Sequence, residues 1–147
     1  MEMLNIKVIN KSANQLPAYA TKGSSGMDLR AAINSSIVLK PLERRLIPTG
    51  IFLEIPLGYE AQVRPRSGLA VNKGITCLNS PGTIDSDYRG ELKVLLINLS
   101  GEEQELQTGD RIAQMVFVKI EIAALELVQQ LNDTVRAAGG FGHTGIQ

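Results

Sequence analysis

The sequence predicts an all-β sandwich or barrel with one short helix, and three observations support that fold class. Short segments rich in branched aliphatic residues recur along the 147-residue chain, and turn residues such as Lys40-Pro41 separate them. Apolar and polar side chains alternate over residues 59–63, which is the period of a half-buried strand. Helical periodicity is nearly absent. A chain of this length forms one domain of ordinary size.

The expected elements follow one another with few interruptions. One short helix is predicted over Ser67–Gly74, because Ser67 can cap its first turn and Gly74 can end it. The β pattern stops near Leu131, so we expect a β-barrel domain over residues 1–131 and a flexible C-terminal arm over residues 132–147. The predicted strands are IKVI (6–9), MDLRAAI (27–33), SIVL (36–39), RRLI (44–47), GIFLEI (50–55), YEAQVRP (59–65), ITCL (75–78), ELKVLLINL (91–99), RIAQMVFVKI (111–120) and ALELVQ (124–129).

The predicted arm ends on RAAGGFGHTGIQ, residues 136–147. It contains four glycines in seven residues, and Phe141 stands between two of them. Glycine adds backbone entropy that must be lost on ordering, and this stretch has too few apolar groups to fold alone. The arm is therefore expected to gain order by covering a surface or a ligand.

The charge balance limits the possible partners. Fifteen basic residues match fifteen acidic ones, and no basic run is longer than Arg44-Arg45. Binding to nucleic acid or to a membrane through a charged face is therefore not expected. Nowhere do about 18 apolar residues follow one another, and the first residues lack the apolar core of a signal peptide. We expect a cytoplasmic protein.

The chain has one cysteine, Cys77, and one histidine, His143. A single cysteine excludes an internal disulfide, and its apolar setting ITCLN predicts a buried small side chain rather than a nucleophile. The two residues cannot form a zinc site, which excludes the zinc chemistry of nucleobase deaminases.

Two stretches put charged residues at strand ends. In SSGMDLRA, Asp28 lies just inside an apolar strand, where it either pairs with a cation or other donors or faces water at the strand edge. In RPRSGLA, Arg64 and Arg66 lead into Ser67 at the predicted helix start. Guanidinium, hydroxyl and helix-start amides together suit phosphate oxygens, whereas two solvated arginines at a strand end are the simpler interpretation.

Two further stretches carry polar groups between apolar segments. The stretch NSPGTIDSDYRGE, residues 79–91, is predicted as a loop between apolar strands, and it carries more polar residues than a hairpin alone needs. Asp85 in this loop could hold a water as a general base, or Asp85 and Asp87 could be plain turn residues. In TGDRIAQMVF, alternation points Gln114 to the face opposite Ala113 and Met115. Its amide either bonds a neighbouring strand or meets a ligand.

In this order, the stretches resemble the five motifs of the deoxyuridine triphosphatase (dUTPase) family. The resemblance runs from about Gly26 to Gly145, and PRSGLA followed by GTIDSDYRGE is a specific combination. It implies a jelly-roll-like β fold assembled as a homotrimer, with three sites at subunit interfaces. It also implies magnesium-dependent hydrolysis of dUTP to dUMP and pyrophosphate, which keeps uracil out of DNA and supplies dUMP for dTMP synthesis.

The resemblance implies roles for the loop over residues 79–91. Asp85 would hold and deprotonate the water that attacks the α-phosphorus. Tyr88 would pack under the deoxyribose and leave no room for a 2′-hydroxyl. The uracil edge would be read by Asn79 and by backbone groups of Thr83, Ile84 and Lys93.

The resemblance also implies a phosphate site. Arg66, Ser67 and Gly68 would bind the phosphate chain, with the Ser67 hydroxyl near the α,β-bridging oxygen. Gln114 would add a donor, and Asp28 would contact Mg²⁺ through the ion's waters. A magnesium ion held mainly by the triphosphate needs few protein ligands, in keeping with the lack of a carboxylate cluster in the sequence.

The arm would complete the site. Phe141 would stack on the uracil, while Arg136 and Thr144 would bind phosphate. His143 departs from the family, which usually carries a serine or threonine at this position, and Ala137 stands where glycine is common. We hypothesise that His143 donates an N–H to the γ-phosphate. The alternative is that His143 points to solvent and that Thr144 with Arg136 binds the phosphate.

Three other functions compete with dUTP hydrolysis. A dCTP deaminase of the same fold would need a glutamate in the strand after residue 91, and LKVLLIN has no acid. A regulatory module would bind the nucleotide and signal without relying on turnover, but Asp85 and a full phosphate set favour catalysis. A jelly-roll adaptor without a nucleotide site would leave these motifs unexplained.

Overall fold

The computed structural model describes residues 3–143, and within that range it has eleven strands and one short helix. The chain is thus nearly all β, as predicted. The strands are β1 (Lys7–Asn10), β2 (Met27–Arg30), β3 (Ile37–Leu39), β4 (Arg44–Pro48), β5 (Ile51–Glu54), β6 (Tyr59–Arg64), β7 (Ile75–Cys77), β8 (Gly82–Ile84), β9 (Lys93–Asn98), β10 (Gln104–Leu106) and β11 (Arg111–Lys119), and the helix is α1 (Ser67–Lys73).

The strands pair into small antiparallel sheets. The largest has the order β2-β11-β6-β8, and a second has the order β4-β9-β7. Two pairs, β1 with β5 and β10 with β3, complete the arrangement among the described residues. The four-stranded sheet carries Asp28, Gln114 and the approach to Arg66, so it positions the candidate site.

One core joins these sheets. It consists of inward-facing aliphatic side chains such as Leu29, Ile47 and Leu96, all fully buried. Two buried polar residues stabilise its edges through hydrogen bonds. The Asn98 amide donates to the carbonyls of Leu39 and Glu102, and the Thr49 hydroxyl donates to the Leu92 carbonyl at 2.6 Å. These bonds satisfy groups that burial would otherwise destabilise.

The short helix begins directly after β6. Gly74 ends it in the left-handed conformation, with φ of 63°, as predicted. The predicted cap by Ser67 is wrong, since Arg66 occupies the N-cap position without a side-chain cap bond and Ser67 is the first helical residue. No described helix has the length and apolar character needed to cross a membrane.

The segment over residues 79–91, predicted as a loop, contains a short strand. Its residues 82–84 form β8, which pairs with β6, whereas β7 belongs to the sheet with β9. The segment therefore crosses from one sheet to the other. The pattern did not reveal β8 because three residues between Pro81 and Asp85 are too few to show alternation.

The predicted strand over residues 124–129 is also absent from the single chain. Residues 121–131 are exposed, and Leu125 and Leu127 are 98% and 100% accessible. The alternation of a strand is present, but nothing in the described part of the chain pairs with it. The predicted boundary at residue 131 stays a prediction, with the last strand ending at Lys119.

Candidate active site

Five predicted phosphate-site residues lie together in one cleft. The cleft has a volume of about 440 Å³ and opens where β2, β11 and the β6–α1 junction meet. Its polar lining suits a charged, hydrated ligand rather than an apolar one. The predicted residues in its wall are Asp28, Arg66, Ser67, Gly68 and Gln114, beside Ser24, Ser25 and Gly26.

Asp28 is half-buried and paired with arginines. Arg66 Nε donates to Asp28 Oδ1 at 2.9 Å, and Arg111 Nη1 donates to Asp28 Oδ2 at 3.3 Å. Of the two sequence-based interpretations of Asp28, the structure therefore supports pairing with a cation. Two guanidinium groups around one carboxylate leave a net positive charge in the cleft wall, which favours an anion.

Gln114 bonds a neighbouring segment, which is one of the two possibilities that the sequence left open. It lines the cleft, and its Nε2 donates to the Pro65 carbonyl at 3.0 Å, just after β6. A side-chain amide carries two hydrogens, and this bond uses one of them. A Cβ on Gly26 would lie 2.6 Å from Gln114 Oε1, so the glycine leaves room for the Gln114 amide beside it. The second N–H is available to a ligand.

The loop after β8 carries the predicted base. Asp85 is exposed and begins a turn in which the Tyr88 N–H donates to the Asp85 carbonyl at 3.2 Å. The Tyr88 hydroxyl donates to the Glu91 carbonyl at 3.0 Å. Any side chain at Gly90 would collide with the Tyr88 ring, so the glycine lets the ring lie flat against the backbone. Tyr88 is therefore fixed in orientation while 44% of its surface stays accessible.

Asn79 precedes the same loop. It is exposed, and a Cβ on Gly82 would lie 3.3 Å from its Nδ2. Thr83 lies exposed on β8 and Ile84 is half-buried there, while Lys93 is exposed at the start of β9. These groups share the inter-sheet connection with Asp85 and Tyr88, and none of them lines the phosphate cleft.

The two groups of residues lie at opposite ends of β6. Ile84 pairs with Ala61, so the chain leaves β8 and enters Asp85 beside the start of β6. Arg66 follows the other end, where Arg64 pairs with Gln114. From residue 60 to residue 64, β6 covers about 13 Å at roughly 3.3 Å per residue. Within one chain, the length of β6 therefore separates Asp85 from the cleft.

The arm is exposed from residue 132 to residue 138 and has local structure. Arg136 Nε donates to the Gly139 carbonyl at 2.9 Å, and a Cβ on Gly139 would lie 2.5 Å from His143 Nε2. The imidazole therefore packs directly on Gly139, so Arg136 and His143 are close together. Ala137 has a φ of 44°, in the left-handed region that favours glycine. Phe141 is fully exposed.

Thr144, the remaining arm residue of the prediction, lies outside the described residues. Cys77 is buried at the end of β7, and burial raises the pKa of its thiol to about 11. It stays protonated near neutral pH, which confirms a packing role.

Arg111 was missed by the sequence analysis. The stretch GDRIAQM contains it, but alternation counted back from Gln114 puts Arg111 on the inner face. The irregular pairing that turns it outward leaves no mark in the residue pattern.

Metal ligands are sparse in the described part of the chain. No group of three or more His, Cys, Asp or Glu side chains in residues 3–143 is arranged to hold a metal ion. Asp28 is the carboxylate of the cleft, and both of its oxygens accept bonds from arginine. This donor set fits a hydrated cation that arrives on a polyphosphate and meets the protein through water.

The chain resembles known proteins over nearly its whole length. The dUTPase family profile matches residues 12–145. The deoxyuridine 5'-triphosphate nucleotidohydrolase of Cytophaga hutchinsonii is 60% identical, covering 96% of this chain and 92% of its own. The protein of the same name from Finegoldia magna is 59% identical, covering 97% of this chain and 99% of its own.

A solved structure agrees. A mutant of Staphylococcus bacteriophage 80alpha dUTPase with dUpNHpp superposes with a TM-score of 0.84 at 25% identity, covering 97% of this chain and 99% of that chain. The fold and the polar anion cleft thus define an all-β, jelly-roll nucleotide hydrolase. The chain belongs to the dUTPase family. The predictions of this family, of the jelly-roll β fold and of an enzyme, a dUTP diphosphatase, are confirmed.

Proposed function

We propose that the protein hydrolyses dUTP to dUMP and pyrophosphate through attack of water on the α-phosphorus. The observation that carries this proposal is the convergence of Arg66, Ser67, Gly68, Gln114 and Asp28 in one polar cleft. The family motifs assign the first four of these residues to the phosphate chain and Asp28 to the waters of the magnesium ion. The reaction keeps uracil out of DNA and supplies dUMP for dTMP synthesis.

The phosphate site works by positioning and charge. The exposed Ser67 hydroxyl and the free N–H of Gln114 are donors to phosphate oxygens, and Arg66 adds positive charge where the pyrophosphate leaves. Holding the triphosphate in one geometry converts the attack of water into an effectively intramolecular step. Such a mechanism needs no nucleophilic side chain.

The loop after β8 binds the attacking water and the nucleoside. Asp85 is exposed at a turn, where its carboxylate accepts a proton from the attacking water. Tyr88, held by Glu91 and Gly90, presents its ring to the deoxyribose, and Asn79 with the backbone of Thr83, Ile84 and Lys93 reads the uracil edge. This surface favours a uracil ring, which lacks the methyl of thymine, and a deoxyribose, which lacks a 2′-hydroxyl.

Magnesium is part of the proposal. Asp28 would meet the ion through water, because its own oxygens are engaged by Arg66 and Arg111. The bound ion supplies charge neutralisation of the phosphate oxygens.

The site is shared between chains of a homotrimer. Asp85 and the phosphate cleft lie at opposite ends of β6, so each completed site takes Asp85 from one chain and Arg66 from another. The exposed strand-like segment over residues 124–129 and the exposed Phe141 support an arm that lies on a neighbour. There Phe141 stacks on the uracil, while Arg136, His143 and Thr144 bind the phosphates.

The decisive experiment measures pyrophosphate release from dUTP, UTP, dTTP and dCTP, with and without Mg²⁺. Release from dUTP alone, and only with Mg²⁺, is expected. Asp85→Asn should lower kcat by at least about a hundredfold and leave binding of a non-hydrolysable dUTP analogue intact. Asp87→Asn in the same loop is the matched control and should keep turnover. Unchanged turnover in Asp85→Asn would overturn its role as base, and preference for another nucleotide would overturn the proposed substrate.

A further inference from the structure

A β-bulge shapes one wall of the phosphate cleft. On β2, the neighbours Leu29 and Arg30 pair with Ala113 and Arg111 of β11, so β11 uses one extra residue, Ile112. Ile112 and Ala113 are both buried, whereas a regular strand would turn one of them outward. The bulge therefore turns Arg111 and Gln114 to the same face, although they are three residues apart. That face is the one with Asp28, which pairs with Gln114.

The bulge brings Arg111 into the Asp28–Arg66 pair in two ways. Its side chain donates to Asp28 Oδ2 at 3.3 Å, and its main-chain carbonyl accepts from Arg66 Nη1 at 3.4 Å. Arg66 meets only Oδ1 of the carboxylate, through Nε at 2.9 Å. The three groups thus form one connected unit, with two positive charges and one negative charge.

We propose that Arg111 is a positioning residue of the triphosphate site, which acts through Asp28 to keep Arg66 available to phosphate. An arginine facing a free carboxylate tends to bind both oxygens with its two-pronged guanidinium. Because Arg111 occupies Oδ2, Asp28 holds Arg66 by one bond at the Nε side. The Nη2 hydrogens of Arg66 then stay free for the ligand, and the unit keeps its net positive charge.

This inference rests on the proposed function and makes a specific claim about how Arg111 acts. If Arg111 contacted phosphate itself, its effect would not depend on Asp28. If it acted only as bulk positive charge, another arginine on the same face would do the same. Arg30 provides that comparison, because it lies opposite Arg111 in register and its Nη1 donates to the Gly109 carbonyl at 2.8 Å.

The test is a double-mutant cycle on binding, at fixed Mg²⁺ concentration and by calorimetry. Arg111→Gln, Asp28→Asn and the double variant are each titrated with a non-hydrolysable dUTP analogue and with dUMP. Arg111→Gln should weaken binding of the analogue about tenfold and leave dUMP within about twofold, because the triphosphate needs Arg66 more than the monophosphate does. In the Asp28→Asn background, Arg111→Gln should have almost no further effect.

Two variants complete the design. Arg30→Gln should change binding of the analogue by less than about threefold, and Arg111→Lys should recover most of the loss because an ammonium still occupies Oδ2. Equal losses in Arg111→Gln and Arg30→Gln would overturn the inference, and so would an undiminished loss in the Asp28→Asn background. Failure of the native protein to bind the dUTP analogue would instead overturn the proposed function on which the inference rests.

Discussion

At the scale of single residues, Leu42 adopts a conformation that its neighbours impose. It follows Pro41 in a four-residue turn closed by the Glu43 N–H to the Lys40 carbonyl at 2.9 Å, and its φ is 63°. A turn with proline second and a left-handed third residue favours glycine or asparagine at that third position. The Leu42 side chain is 71% exposed, so little burial offsets the strain.

Leu42→Gly should therefore stabilise the protein. Removing a left-handed side chain recovers about 1–2 kcal/mol, and the added flexibility of glycine in the unfolded chain takes back about 0.5–1 kcal/mol. A rise in Tm of roughly 2 °C is expected in thermal unfolding. Leu57→Gly is the control, because Leu57 is also largely exposed, at 88%, while the left-handed position of its turn is already Gly58, with φ of 88°. A lower Tm for Leu42→Gly than for the native protein would contradict the strain.

His143 gives the second prediction at this scale. The His143 ring packs on Gly139. The carbonyl of Gly139 accepts a hydrogen bond from Arg136, which is therefore the charged group near His143. An imidazole N–H can donate a hydrogen bond to a phosphate oxygen. If His143 binds the γ-phosphate, His143→Ala should raise KM for dUTP severalfold, and His143→Ser, which restores a hydroxyl donor, should recover most of that loss. Equal KM values for the native protein and His143→Ala would refute the role.

At the scale of elements, two corners of the barrel repeat one construction. Ser100 N–H and hydroxyl both donate to the Asn98 side-chain oxygen, and the Ser12 groups do the same to Asn10. A left-handed glycine faces each serine. A Cβ on Gly74 would lie 2.9 Å from the Ser100 nitrogen, and a Cβ on Gly50 would lie 2.8 Å from the Ser12 nitrogen. The loops after β9 and β1 therefore require glycine just before the paired strand, Gly74 before β7 and Gly50 before β5.

Gly74→Ala should lower the free energy of unfolding by about 2 kcal/mol or more, since it adds left-handed strain to a backbone collision. The effect is measured by urea unfolding monitored by circular dichroism. Gly101→Ala lies in the same corner with nothing within 4 Å of its Cβ, and its unfolding free energy should stay within about 0.5 kcal/mol of the native value. Equal free energies of unfolding for Gly74→Ala and Gly101→Ala would show that the corner accommodates the added Cβ without loss of stability.

The elements also show what the sequence could predict. The long alternating segments became strands because local pattern and burial agree, as in β6 and β11. Asp28, Arg66 and Gln114 were singled out because polar groups stand out beside apolar segments, and the resemblance to the dUTPase motifs placed them in one site. The bulge at Ile112 was not predictable, because pairing with β2 decides it. The strand over residues 124–129 was predicted from its β-rich pattern, and no described residue pairs with it.

At the scale of the whole molecule, the distance along β6 between Asp85 and Arg66 predicts complementation. Asp85→Asn and Arg66→Gln should each be inactive alone. When the two are unfolded together and refolded as mixed oligomers, the native Asp85 of one chain meets the native Arg66 of another. Pyrophosphate release from dUTP should then return to roughly a tenth or more of the native rate, well above either variant refolded alone. Inactive mixtures, or a native protein that sediments at 15.9 kDa, would contradict a shared site.

The division of the site along β6 has a further consequence for the unassembled subunit. A chain that has just folded, or has dissociated on dilution, presents a complete barrel but only the separated parts of a site. If the site is shared as proposed, such a chain should not hydrolyse dUTP, however stable it is. Specific activity should fall when the protein is diluted below the dissociation constant of the oligomer, and it should recover when the protein is concentrated. The turnover rate would then measure the fraction of subunits that are assembled.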